Sequence, residues 1–391
     1  MTCYARVYQW YTIVQQRLPH LSKPQAYGLA LWSLGVVLTR SCSLSGVTLW
    51  WSQALGRADN TVRQQLREWY YEASHKRGAK RRSLEVEASF APRLAWVLTG
   101  WPGTQLALAL DATSLHDRFV VLCISVLYRG CAIPVAWKVL PANTPGAWRG
   151  HWLRLLRRLR PAVPADYCVL VLADRGLYSP RLFRRIVRLG WPPLLRINGG
   201  GTFRGQGQRH YEALGAVVAR LEGCGSVRGT AFQGPRRLAC TLAVYWERGC
   251  DEPWLVLTDL PPPQVQACWY GLRAWIEHGF KFTKREGWQW QRSRMSDPQR
   301  AACLWLVLAV ATLWVVTLGS EAELSTISTE RTWATGDASQ PRRVSVFRRG
   351  WTALLVAWGQ GQRWCREVWP ALRPEPWPVL PANLMCYHDT S

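Results

Sequence analysis

The run at 105–111, QLALALD, constrains the fold more than any other stretch of the chain. Its apolar residues are consecutive rather than alternating, so a strand formed here has both faces covered and belongs inside a layered α/β sheet. A second run of this kind, 167–173, also leads into an aspartate, in Asp174-Arg175-Gly176. Between the two, 119–127 and 132–140 read as strands joined at Tyr128-Arg129-Gly130. Residues 147–160 read as a helix with Trp148, Trp152, Leu155, Leu156 and Leu159 on its buried face and arginines on the rest. Ser179 is placed to cap a helix over 180–189, and 193–197 is a fifth strand.

Three adjacent strands, a helix, a strand, a helix and a strand is the element order of a ribonuclease-H-like mixed sheet with flanking helices. We expect this α/β catalytic domain to span 100–320, with a β-rich insertion at 198–263 in which 242–246 and 254–258 are the clearest strands. Ahead of it, 1–90 reads as a helical DNA-binding domain with a basic linker. One helix covers 22–40, with Ser22 as cap and Pro24 in its first turn; a second covers 47–55. A third, capped by Asp59 or Asn60, buries Val62, Leu66, Trp69 and Tyr70 and carries Arg63 and Arg67 beside that face. The linker at 75–82, HKRGAKRR, offers a phosphate clamp. At the other end, 321–391 reads as a polar loop at 323–340, an amphipathic helix at 343–358 and a proline-rich irregular tail.

Charge narrows the class of partner. Lys and Arg number 49 against 25 Asp and Glu, a formal net charge of +24, and most of the cations are arginine. The planar guanidinium suits phosphate, so nucleic acid is the expected partner ahead of a membrane. Twelve cysteines are scattered without a C-x-x-C pair, which argues against a zinc site and against a disulfide framework. The first twenty residues lack the apolar core of a signal peptide. Residues 301–318, AACLWLVLAVATLWVVTL, have the length and apolarity of a membrane span, yet a single run that follows a polar turn reads as a core helix.

The chemistry points to three carboxylates. Asp111 and Asp174 each close a buried strand, at the edge where open α/β sheets bind ligands. Within 270–287, YGLRAWIEHGFKFTKREG, an α-helix would place Tyr270, Arg273, Glu277 and Lys284 in one stripe roughly 60° wide at about 100° per residue. Leu272, Trp275, Ile276 and Phe280 would anchor that helix. Three hard oxygen donors without His or Cys suit two Mg²⁺ or Mn²⁺ ions acting on a phosphodiester. Asp117, Asp251, Asp259 and Asp297 are the other acids weighed, and Asp259, just past the strand at 254–258, is the strongest rival. The alternative for the helical stretch is a surface bearing ion pairs.

These residues resemble the DDE transposases of bacterial insertion sequences, in the group marked by Y-x2-R-x3-E-x6-K. Tyr270, Arg273, Glu277 and Lys284 meet that spacing at all four positions. Asp111-Ala112-Thr113 looks like the first Asp block and Asp174-Arg175-Gly176 like the second; Leu177-Tyr178 departs in part from the pattern that follows. The resemblance implies Asp111, Asp174 and Glu277 as catalytic metal ligands. It implies Tyr270, Arg273 and Lys284 as phosphate contacts at the transposon end. It further implies a homodimeric synapse, cleavage at terminal inverted repeats, strand transfer into target DNA, and a bacterial cytoplasmic, nucleoid-associated location. Trp246 and Trp254 lie in the β-rich insertion and receive no assignment. The competing reading is a non-catalytic, decayed or domesticated DNA-binding derivative.

Overall fold

The two apolar runs pair with each other. In the computed structural model, which describes residues 2–76, 82–101, 103–144, 148–246, 249–330 and 344–361, they become parallel neighbours, β1 (Gln105–Leu115) and β4 (Cys168–Ala173). The hairpin partners β2 (Phe119–Tyr128) and β3 (Cys131–Pro141) run antiparallel beside β1, and β5 (Pro193–Arg196) lies parallel beside β4. The order β3-β2-β1-β4-β5, three antiparallel strands followed by two parallel to the first, is the ribonuclease-H-like sheet expected from the element order. The β2–β3 turn is Arg129-Gly130, with φ of 49° and 76°, the positive pair that a tight hairpin matched to strand twist requires.

The segment after β5 extends this sheet. β6 (Thr202–Gly205), β7 (Glu212–Ala213), β8 (Cys224–Ala231), β9 (Leu238–Tyr245) and β10 (Trp254–Thr258) complete ten strands, with β10 antiparallel to β5. β8 carries two glycines, Gly225 and Gly229, and gives little signal on its own. At Gly229 an added Cβ would run into the Arg204 carbonyl of β6, so the close cross-strand approach is itself what demands glycine there.

The helices before the sheet are α1 (Cys3–Arg17), α2 (Lys23–Thr39), α3 (Leu44–Leu55), α4 (Asp59–Tyr70) and α5 (Phe90–Thr99). Gln25 accepts a hydrogen bond from the Ser22 N–H, and Pro24 sits in the first turn of α2, so the predicted start holds. Most of the basic linker lies outside the described residues. α6 (Arg149–Leu159) and α7 (Pro180–Val187) cover the sheet, the latter capped by Ser179, whose side chain accepts from Leu182 N. α8 (Leu214–Arg220) belongs to the insertion and α9 (Ala274–Lys281) follows β10.

The apolar run at 301–318 lies in the N-terminal part of α10 (Pro298–Glu330), which packs against β3, α2, α4 and α11 (Val346–Gly359). It is long and apolar enough to cross a membrane, but 89% of its apolar window is buried inside the molecule. α2 and α3 reach that length only as a pair bent by 98°. Indoles fill much of the core: Trp10 stacks on Trp314 with centroids 4.0 Å apart, and Trp137 donates to the Ala302 carbonyl. α10 runs on into the segment expected to be a loop from 323, as far as Glu330. Glu323 is buried and pairs with Arg129 at 2.7 Å, and Tyr128 and Ser320 share a 2.6 Å hydrogen bond, so the hairpin end of β2–β3 holds the helix in place. The rest of that expected loop and the proline-rich tail lie outside the described residues.

Candidate active site

The parallel register places the two aspartates. Leu110 pairs with Ala173, so the next residue on each chain is a carboxylate, Asp111 on β1 and Asp174 just beyond β4. In the sequence reading Asp111 closes its strand; in the structure β1 continues to Leu115, because β2 goes on pairing with it as far as Phe119. Asp111 therefore sits at the point where β4 leaves off, at the C-terminal edge of the parallel strands. Its Oδ1 accepts from the Ala112 N–H at 2.8 Å. Burial raises its pKa above the ordinary carboxylate value, while the nearby Arg273 guanidinium and the Ala112 N–H oppose that rise.

The third carboxylate arrives on a helical stretch of three pitches, not one. Ala267–Arg273 is 3-10, α9 follows, and Phe282–Glu286 is a π-helix, so the uniform wheel expected for 270–287 does not apply. In the 3-10 turn Tyr270 and Arg273, three apart, share one face; in the α-helical turn Glu277, four further on, lines up with Arg273. Lys284, in the π segment, does not join the Arg273 ion pairs. Burial, then the neighbouring Arg285, lowers its pKa. Leu272, Ile276 and Phe280 are buried as expected, Trp275 partly so. Gly279 lets the helix close on β3, since an added Cβ would sit 2.9 Å from that of Ala132.

Arg273 is the centre of the cluster. Its Nη2 lies 3.0 Å from Asp111 Oδ2 and 3.8 Å from Asp174 Oδ2, and its Nη1 donates to Glu277 Oε1 at 2.8 Å. Burial pushes its pKa down, but Asp111, Tyr270, Asp174 and the Glu277 bond together carry it above the ordinary guanidinium value. The Tyr270 hydroxyl donates to Asp174 Oδ1 at 3.1 Å, and its ring stands edge-on to Trp254 with centroids 5.4 Å apart. Burial raises the Tyr270 pKa, and Asp174 adds to the rise. The resemblance implies Arg273 as a phosphate contact; in the structure its guanidinium lies among the three carboxylates.

The rival acid is elsewhere. Asp259 follows β10, which runs antiparallel to β5, so it lies at the opposite edge of the sheet from Asp174. Its nearest titrating neighbours accord with this, being Arg228 and Cys168, the latter at the start of β4. Of the residues expected to meet DNA from the N-terminal helices, Arg63 donates to Ser45 Oγ at 3.0 Å and Arg67 to the Tyr71 hydroxyl at 2.8 Å. Arg300 lies over that same tyrosine ring, 4.6 Å from its centroid, a partner the sequence did not suggest.

The donor chemistry of Asp111, Asp174 and Glu277 fits a hard divalent cation, being all carboxylate oxygen and leaving a net negative cluster after Arg273 is counted. Their arrangement is built around a guanidinium, and among the described residues no three acidic, His or Cys side chains are grouped to hold a metal ion.

Residues 144–314 match the family described as transposase DDE domain, a segment that includes Asp174 and Glu277. No curated protein matches. Among solved structures, a piggyBac transposase synaptic complex with hairpin DNA is similar at 10% identity, over 62% of this chain and 59% of that one, with a TM-score of 0.30. DDE transposases generally use divalent metal ions. The matched segment, which carries the second Asp and the Glu, is similar to the transposase DDE domain family, and the first Asp lies beside Asp174 on the next strand.

Proposed function

We propose that the chain is an active transposase, which binds terminal inverted repeats as a homodimer and catalyses DNA cleavage and strand transfer. The observation that carries this reading is the convergence of Asp111, Asp174 and Glu277 on one guanidinium at the C-terminal edge of the parallel strands. These three would hold Mg²⁺ or Mn²⁺, which when bound supplies charge stabilisation to the attacking and leaving oxygens of a phosphodiester. Tyr270 orients the Asp174 carboxylate through its hydroxyl. Arg273 balances the cluster and, once released from a carboxylate, is in place to meet a backbone phosphate. Lys284, Arg63 and Arg67 are further phosphate contacts on this reading, and the formal charge of +24 supports a polyanionic partner.

Glu277→Gln separates catalysis from binding. The substitution keeps size and removes the charge, so end cleavage in a gel assay should collapse while the gel shift of end DNA survives. A variant that cuts at the wild-type rate would take the active site away from this helix. One observation favours a second reading, the non-catalytic derivative: Arg273 fills the centre of the carboxylate cluster. Wild-type protein that shifts cognate ends yet never nicks them in Mg²⁺ or Mn²⁺ would establish that alternative.

A further inference from the structure

Beside the carboxylate cluster, the ends of β4 and β5 carry two arginines that share one acid. Arg175, the residue after Asp174, donates from Nη1 to Glu252 Oε2 at 3.1 Å, and Arg196 Nη2 lies 3.5 Å from the same oxygen. Arg196 is the last residue of β5, and its side chain is 20% exposed. Glu252 precedes β10, whose start lies against the end of β5, and its side chain is 64% exposed. The group adjoins the site already described, since Arg175 directly follows Asp174, whose carboxylate the Tyr270 hydroxyl holds.

We propose that Arg175 and Arg196 form a seat for a DNA backbone phosphate next to the carboxylates, and that Glu252 is an internal anion that fills the seat until DNA displaces it. The proposal rests on the transposase reading and adds a binding subsite to it. One carboxylate oxygen between two guanidinium groups has the geometry of a phosphodiester oxygen held by two arginines. An exposed acid in an otherwise arginine-rich edge is a weak stabiliser, so its exchange for a phosphate costs little. The phosphodiester brings a second non-bridging oxygen, which lets each guanidinium have its own acceptor. Asp174, 3.8 Å from the Arg273 guanidinium, directly precedes Arg175, so a phosphate in this seat has the reactive cluster nearby.

The test is fluorescence-anisotropy titration of a labelled duplex of random sequence across a salt series, with wild type, Glu252→Gln, Arg175→Gln, the double variant, and Asp251→Asn as a same-charge control. Glu252→Gln should bind about 2- to 5-fold tighter, the scale of one exposed charge pair. Arg175→Gln should bind about tenfold weaker, with the slope of log K against log salt shallower by about 0.9. In the double variant the gain from Glu252→Gln should disappear, because the acid then guards an incomplete seat. If Asp251→Asn tightens binding as much as Glu252→Gln, or if the gain persists without Arg175, Glu252 acts only by general repulsion and the seat is refuted. Wild-type protein that binds no duplex would overturn the transposase reading as well, which separates the two failures.

Discussion

Arg273 Nη2 stands 3.0 Å from Asp111 Oδ2, and the same guanidinium reaches Asp174 and Glu277. One side chain thus neutralises part of a cluster that would otherwise hold three like charges. Removing it should have two linked effects. Arg273→Ala should lose about 2 kcal/mol of stability in EDTA, less than the ~3–5 kcal/mol of a fully buried pair because Glu277 remains in contact with solvent. The same variant should gain more thermal stability than wild type on adding Ca²⁺, since the cation no longer competes with a tethered one. Thermal melts with and without Ca²⁺ measure both. An equal Ca²⁺ shift in the two proteins would show that the guanidinium and the divalent ion do not share ligands.

Tyr270→Phe tests the orientation of Asp174. The ring keeps its edge contact with Trp254, and only the 3.1 Å hydrogen bond is lost. The expected cost in denaturant unfolding is about 1 kcal/mol. Cleavage should fall by more than this cost implies, because a loosened carboxylate no longer meets the reacting group in one geometry. Loss of cleavage in step with loss of folded protein would reduce Tyr270 to a packing residue.

The aspartates were legible in the sequence, and the reason is geometric. β1 and β4 pair in parallel at one constant offset through six pairs, so two apolar runs of similar length that each lead to Asp put those acids side by side. The inward position of Arg273 was not legible, because a helical wheel assumes one pitch and this stretch has three. The end of α10 was missed for a related reason. Glu323 reads as polar and loop-forming until Arg129, distant in sequence, is seen to bury it. β8 is hard to read from sequence because Gly229 answers to the neighbouring strand β6 and not to local propensity. α1 and α5 carry no clear signal in the sequence, since each takes its buried face from helices and strands elsewhere in the chain.

The crossing of α10 and α11 gives a prediction about the fold alone. Gly319 and Gly350 face each other so closely that an added Cβ on either would overlap a backbone carbonyl of the other helix, Val346 or Val315. Gly350→Val should therefore push the helices apart and cost about 3 kcal/mol, at the upper end of overpacking penalties. Gly359→Ala, in the same helix with open space around it, should change stability little. Denaturant midpoints of the two variants decide it; similar midpoints would mean that α11 moves freely over α10.

Arg63 and Arg67 differ in how free they are to meet DNA, and this yields the last prediction. Among the described residues, Arg63 holds a serine hydroxyl at an exposed position. Arg67 bonds the Tyr71 hydroxyl, and its guanidinium lies 5.4 Å from that ring's centroid while Arg300 lies 4.6 Å away. If both arginines reach phosphates, each alanine variant should bind DNA more weakly and lower the salt slope by about 0.9. Arg63→Ala should leave stability unchanged, because its partner is solvated. Arg67→Ala should also cost about 0.5–1 kcal/mol, from the lost cation–π contact. Tyr71→Phe then separates the roles, since it keeps the ring and removes the hydroxyl that holds Arg67. Freed from that bond, Arg67 should bind DNA at least as well as in wild type. Weaker binding by Tyr71→Phe would mean that the tyrosine presents Arg67 to the phosphate and does not restrain it.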